Sequence, residues 1–281
     1  MEARTMANPS LIQQLLNDLQ SRDKQKQRYA LYRLAQMKEK SVVPALLDAL
    51  KHKDREVRVL VIQTLSLLGD DARILPAMIE RLRDRSKDVR RAAAHALGII
   101  ASERAVSGLV GALLGDESSF VRWEAAKALR SIGDQAAVPE LVEALSADDN
   151  SNVRYAAAEA LGTIADTSAL DALEHALLHD ADDYVRYAAA TALGQMNDMT
   201  SIPTLIEALN DTNTHVWHAA AEALWNMEED TAPFLQEAMR SPKMEIRRAA
   251  LKGLLWLSVE FDEAEAPRLD DDWVSLWGWW N

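Results

Sequence analysis

A twelve-residue phrase returns along this chain at a nearly constant interval, and nothing else in the sequence restricts the fold so tightly. It reads VRRAAAHALGII from Val89, VRWEAAKALRSI from Val121, VRYAAAEALGTI from Val153 and VRYAAATALGQM from Val185. The anchoring arginines are Arg28, Arg58, Arg90, Arg122, Arg154, Arg186 and Arg247, with Trp217 in the register of an eighth, at spacings of 30, 32, 32, 32, 32, 31 and 30. A period in this range marks a solenoid, in which one unit buries its apolar face only by stacking on its neighbours.

Each unit divides into two helical patterns. The first, as in SVVPALLDAL, AVPELVEAL and SIPTLIEAL, has apolar residues at i, i+3, i+4 and i+7. Pro44, Pro76, Pro139, Pro203 and Pro233 fall in its opening turn, where a missing N–H costs no hydrogen bond. The second pattern starts at the Val-Arg pair and carries Ala-Ala-x-Ala-Leu, small residues that let helices approach closely. Gly69 and Gly133 are expected to close second helices in the left-handed conformation.

This two-helix pattern resembles the HEAT-repeat family, most closely its short bacterial subtype, the phycobilisome-lyase-type HEAT-like repeats. The resemblance covers about nine tenths of the chain. It implies an all-α fold, a right-handed α-solenoid (superhelix) of about eight HEAT-like helix pairs over residues 1–259, followed by an acidic linker and Trp-rich tail over residues 260–281. An aspartate six residues before the arginine is a further family trait, present as Asp84/Arg90, Asp116/Arg122, Asp148/Arg154 and Asp180/Arg186. In the family such residues form a ladder linking successive repeats, and the Asp can cap the second helix. By this pairing the ladder lapses at Asp211/Trp217 and Ser241/Arg247, and the first two repeats lack its Asp.

The resemblance also places the second helix of each unit on the concave face, with outward positions one, two, five and nine residues after the arginine. Tyr29, Arg91, Trp123, Tyr155, Tyr187 and His218 occupy the first of these, and Glu124 and Glu159 stand nearby. Trp256 holds a ninth-position site. Trp, Tyr and Arg dominate interface hot spots, so these residues are expected to bind a partner. The seventh repeat departs most, with Trp217 for the arginine and Trp225 for the glycine of Ala-Leu-Gly; these rings either fill space or thicken an aromatic pocket.

Composition narrows the chemistry. Cysteine is absent, which excludes disulfides, Cys-based zinc sites and thiol catalysis. His175 and His179, i,i+4 on one helix, with His215 and His218 a repeat later, make the only metal candidates; without HExxH no metal site is expected. The iron-binding His-Glu pairs of the HEAT-like deoxyhypusine hydroxylases have no counterpart, since the matching positions read Trp123-Glu124 and Tyr155-Ala156. No nucleotide-binding or nucleophile-elbow motif is present, and neither catalytic residue nor cofactor is expected. No apolar run has the length of a membrane span, and the N-terminus lacks signal-peptide character, so the expected location is cytoplasmic.

Charge is distributed unevenly. Residues 1–100 hold 19 Lys and Arg against 12 Asp and Glu, a net +7, within a chain whose total is −13. Between Ser131 and Met239 the only Lys or Arg residues are Arg154 and Arg186. The bulk acidity argues against duplex DNA, which needs rows of cations opposite its phosphates. In the tail, Trp273, Leu276, Trp277 and Trp280 fall at i, i+3, i+4 and i+7 behind Asp270, Asp271 and Asp272. They describe a short amphipathic helix that must dock to persist, either on the last repeat or on a partner.

These observations lead to a non-catalytic adaptor, scaffold or assembly chaperone that holds a protein partner on a concave aromatic groove. The alternative is a subunit of the phycobilin lyase type, handling an open-chain tetrapyrrole, which is also the form an enzymatic role would take. The repeat itself names neither the partner nor an oligomeric state.

Overall fold

In the computed structural model, residues 9–19, 21, 23–37, 40–68, 72–227 and 231–256 are described. Among them every regular element is helical, and sixteen α-helices follow one another as eight pairs. The first four pairs are α1 (Pro9–Leu19) with α2 (Lys24–Met37), α3 (Val43–Ala49) with α4 (Arg55–Leu68), α5 (Ile74–Arg81) with α6 (Lys87–Ile100), and α7 (Val106–Gly115) with α8 (Ser119–Ile132). The rest are α9 (Val138–Ala147) with α10 (Ser151–Ile164), α11 (Leu170–His179) with α12 (Asp183–Met196), α13 (Ile202–Ala208) with α14 (Thr214–Asn226), and α15 (Thr231–Ala238) with α16 (Met244–Trp256). This is the all-α solenoid of helix pairs that the repeat demands. No helix among the described residues is long and apolar enough to cross a membrane. The tail residues Trp273, Leu276, Trp277 and Trp280 lie outside the described residues.

The chain forms two compact units, Met1–Ala160 and Leu161–Asn281. Each has the same internal construction. First helices contribute Leu109 and Leu141 in the first unit and Leu173 and Leu205 in the second, all fully buried. Second helices contribute a small-residue seam, Ala93, Ala94, Ala125 and Ala126 in one unit and Ala189, Ala190 and Ala220 in the other. Pro44, Pro139 and Pro203 sit in the first turn of α3, α9 and α13, as their missing N–H requires.

Glycine in the second helices has a specific purpose. A Cβ built on Gly162 would lie 2.7 Å from Cα of Ala192, and one on Gly194 would lie 2.7 Å from Cβ of Ala223. In the first unit Gly98 meets Ala128 at 3.0 Å in the same way. These glycines let successive second helices touch backbone to backbone.

Second helices end in a left-handed residue at a regular interval: Ala101, Gly133, Ala165 and Asn197, with φ of 50°, 72°, 57° and 52°. The N–H of each donates to the carbonyl of Leu97, Leu129, Leu161 or Leu193 respectively. Glycine occupies only one of these four sites, so its absence elsewhere hides helix ends that have the same geometry. Gly69 lies outside the described residues.

The ladder pairs differently from the six-residue reading. The Nη1 of Arg90 donates to the backbone carbonyl of Asp84 at 3.0 Å, whereas its Nε and Nη2 grip the carboxylate of Asp116, 26 residues on, at 2.6 and 2.9 Å. Arg122 likewise takes the Asp116 carbonyl at 2.9 Å and the Asp148 carboxylate at 2.7 and 2.8 Å. Arg154 donates to the Asp148 carbonyl at 2.9 Å. In the second unit Arg186 donates to the Asp180 carbonyl at 2.9 Å and holds Asp211 at 2.7 and 3.1 Å. The ladder is therefore longer than the Asp/Arg spacing implies. Arg58 belongs to it through Asp84, at 3.0 and 2.8 Å, and Asp211 belongs to it although Trp217 follows.

The aspartates do not cap the second helices. Asp84, Asp116, Asp148, Asp180 and Asp211 instead accept the amide two residues on, from Ser86, Ser118, Asn150, Asp182 and Asn213. The N-caps of α6, α8, α12 and α14 are the residues two further on, Ser86, Ser118, Asp182 and Asn213, of which Asp182 and Asn213 accept the amides of Tyr184 and His215. Burial opposes ionisation of Asp84, but hydrogen bonds from Arg58 and the Ser86 amide outweigh it and hold the carboxyl below its ordinary range. Asp148 is held low by the same balance, with Arg122 and the Asn150 amide as donors.

Candidate functional site

In the first unit the second helices α6, α8 and α10 carry a group of polar and aromatic side chains joined by direct contacts. Glu124 on α8 is buried, with 7% of its surface exposed, so its charge needs partners. It has two. His95 on α6 shares a hydrogen bond with its Oε1 at 2.8 Å, and the Lys127 ammonium stands 3.4 Å from the same oxygen. The Lys127 Nζ also lies 4.0 Å from the ring centroid of Trp123, one turn back on the helix, a cation–π distance. Arg130 at the end of α8 pairs with Glu159 on α10 at 2.8 Å. Trp123, half-buried, is thus held by a network that links consecutive second helices.

The remaining proposed residues of this unit stand at or near the surface. Tyr29 on α2 is 55% exposed, and its hydroxyl accepts from Arg33 at 2.9 Å. Arg91 is exposed, and Tyr155 is half-buried. The structure joins Trp123 and Glu124 in one network and brings Glu159 to Arg130; Tyr29 has its own local contact with Arg33.

The second unit carries a different arrangement around Trp217. Its ring stacks on His218, with centroids 3.8 Å apart and planes at 25°. The Lys252 ammonium, reaching from α16, lies 3.4 Å from the Trp217 ring centroid and donates to the Leu209 carbonyl at 3.1 Å. Burial pushes Lys252 down to about 8, against the pull of Asp211. Trp217 thus lies between His218 and Lys252. Trp225 is 49% exposed and Tyr187 38% exposed. Trp256 is the last residue of α16, and its side chain lies outside the described set.

His175 and His179 meet edge to face at 4.8 Å. Among the described residues no three His, Cys, Asp or Glu side chains come together in a way that could hold a metal ion.

With this geometry in view, comparison with known proteins is decisive for the family. The model for HEAT repeats matches residues 8–77, 70–130, 106–193, 173–255 and 202–270, which spans nearly the whole chain. The chain belongs to the HEAT-repeat family. No curated protein matches it at a significant level. Among solved structures it is similar to an engineered protein, at 26% identity and a TM-score of 0.52, over 90% of this chain and 80% of that one. It is similar to the YibA protein of Escherichia coli at 20% identity and a TM-score of 0.60, over 88% and 92% of the two chains. The complex of CpcE and CpcF of phycocyanin lyase from Nostoc sp. PCC7120 aligns at 20% identity and a TM-score of 0.48, over 92% and 97%.

Three residues of these HEAT-repeat networks escape a reading built on aromatics: His95, Arg130 and Lys252. All three had a signal in the repeat register. His95 and Lys252 are five residues after Arg90 and Arg247, the position Lys127 and Glu159 occupy in their own units. Arg130 stands where Gly98, Gly162 and Gly194 stand in other repeats. A long cation in the place of a close-contact glycine projects outward, and it reaches Glu159.

Proposed function

We propose that this HEAT-repeat protein is a non-catalytic binding module, an adaptor, scaffold or assembly chaperone of the cytoplasm, and that it holds a protein partner on the outward positions of its second helices. The observation that carries the reading is the Trp123 network. A large aromatic ring is fixed in place by Lys127, which in turn is tied to the buried Glu124 and through it to His95. Ordering a ring before the partner arrives lowers the entropy cost of binding, and tryptophan is the side chain most enriched at energetic hot spots. Arg91, Tyr155, Glu159 and Arg130 would surround the anchor with groups that select among partners. In the second unit Tyr187, exposed Trp225 and His218 would add contacts.

The test is affinity capture with the wild-type chain, followed by measurement of the captured partner's affinity for Trp123→Ala. Loss of about 2 kcal/mol or more of binding free energy, the hot-spot scale, supports the reading. Unchanged affinity in a folded Trp123→Ala/Tyr155→Ala/Tyr187→Ala variant would place the site elsewhere.

A further inference from the structure

Trp217 stands where other repeats carry a ladder arginine, and the residue in register with the next ladder aspartate is Ser241. The joint between the seventh and eighth helix pairs therefore lacks both partners of the ion pair that Arg186 and Asp211 make one repeat earlier. A cation still reaches this joint, from a different position. Lys252 on α16 sets its ammonium 3.4 Å from the Trp217 ring centroid and donates to the Leu209 carbonyl at 3.1 Å. His218, stacked on the same ring at 3.8 Å, helps to hold the ring in place.

What Lys252 lacks is a counter-ion. Asp211, the acid whose charge it feels, is already gripped by Arg186 at 2.7 and 3.1 Å. Among the described residues no carboxylate pairs with Lys252, whereas Lys24 and Lys127 have Glu56 and Glu124. A guanidinium in this place would keep its charge, but a buried ammonium can give up its proton. Burial brings Lys252 down to about 8. Near pH 8 roughly half of it is then free amine, against under about 1% for a lysine of ordinary value. A desolvated lysine of this kind is an activated nucleophile, and its half-buried side chain leaves it within reach of a small molecule.

The contacts of the ammonium fit one class of product. A free amine adds to the carbonyl carbon of an aldehyde to give a carbinolamine. Loss of water then gives an imine, and protonation gives an iminium. The iminium carries the ammonium's charge at the same nitrogen and keeps one N–H. The Leu209 carbonyl can accept that N–H, and the Trp217 ring can face that charge, so the contacts made before reaction persist after it. Arg248 lies four residues before Lys252 and so on the same helix face; it is exposed, and among the described residues no carboxylate pairs with it. A guanidinium at this place suits a phosphate or carboxylate on the incoming aldehyde.

We propose that Lys252 is a covalent binding site for a small aldehyde that bears an anionic group, captured as a Schiff base, with Trp217 and the Leu209 carbonyl holding the iminium and Arg248 the anion. Capture is reversible and consumes neither oxidant nor reductant, since water is the only product released. It needs no protein partner, so it stands or falls separately from the binding role proposed above.

Pyridoxal 5′-phosphate, an anionic aldehyde, is the probe. The full-length chain meets it briefly at pH 8, borohydride reduces each iminium to a stable secondary amine, and mass spectrometry reads the label at each lysine. Lys252 should be labelled about tenfold faster or more than Lys26 and Lys243, both exposed. Equal rates overturn the proposal. The comparison lies within one wild-type protein, so it does not depend on any variant folding. From pH 8 to pH 10 the ratio of Lys252 to Lys243 labelling should fall about tenfold or more, because the free-amine fraction of an ordinary exposed lysine keeps growing over that range. A constant ratio overturns the free amine at Lys252. Pyridoxal, which lacks the phosphate, should label Lys252 several-fold less relative to Lys243, and Arg248→Ala, a change at an exposed position, should erase that preference. Equal relative labelling by the two aldehydes, or a preference that survives in Arg248→Ala, overturns the anionic class and the role of Arg248.

Discussion

Arg90 and Asp116 are 26 residues apart in sequence and exchange two hydrogen bonds, at 2.6 and 2.9 Å, with side chains only 10% and 6% exposed. A bidentate pair with this burial is a joint between consecutive repeats. Loss of either partner leaves the other a largely buried charge without its bidentate counter-ion.

Arg90→Ala should therefore destabilise the chain by about 3–5 kcal/mol, the range for removing one partner of a buried pair. Arg90→Met with Asp116→Leu, which removes both charges and keeps volume, should recover much of that loss. Urea titration of the three proteins checks this; equal losses in the single and double variants would show that packing, not charge, holds the joint.

The same ladder sets an acid limit. Asp84 and Asp148 titrate below their ordinary range in the folded chain, so they stabilise it above the unfolded value and lose that contribution as pH falls through the folded one. Stability should be flat near neutrality and decline from about pH 4 downward, given the ordinary Asp value. Asp84→Asn should flatten part of the decline, which thermal melts at stepped pH would show.

Two positions three residues apart on one helix end should respond oppositely. Gly162→Ala forces a Cβ to within 2.7 Å of the Ala192 backbone, and should cost about 1–3 kcal/mol as overpacking does. Ala165→Gly removes a Cβ from a residue at φ 57°, where a side chain costs roughly 1–2 kcal/mol, and should raise Tm. A fall in Tm for Ala165→Gly would mean that unfolded-chain entropy outweighs the relief of strain.

Lys252 should titrate near pH 8, well below the ordinary lysine value. Its folded value is lowered, so between about pH 8 and 10 the unfolded chain binds the extra proton and stability should rise with pH at this site. Carbon-13 NMR of reductively methylated chain reads the midpoint. Lys252→Met should remove the titration near pH 8 and leave a stable fold, since it keeps an unbranched chain of similar length beside the Trp217 ring without a charge to bury.

The chain declares its helices plainly because their causes are local. The 32-residue period, the apolar spacing of the first helices and the prolines in their opening turns act within a few residues, and the eight pairs follow from them. Residues that merely need exposure, such as Tyr29 and Tyr187, could likewise be named from their register. Left-handed helix ends were legible at Gly133 but not at Ala101 or Ala165, where stacking holds a conformation that alanine by itself disfavours.

Pairing is another matter. Asp84 and Asp116 both lie in register with Arg90, one six residues before it and the other 26 after, and proximity along the chain favours the first. Only the stacked repeats decide otherwise. Asp84 offers Arg90 its carbonyl, because its carboxylate is already engaged by Arg58 and the Ser86 amide, and the next repeat then brings the Asp116 carboxylate to the free side of the guanidinium. The Lys252 contact with Trp217 has the same origin. Sequence spacing determines which face of a helix a side chain occupies, but an ion pair or ring contact between repeats depends on distances that exist only once the repeats have packed.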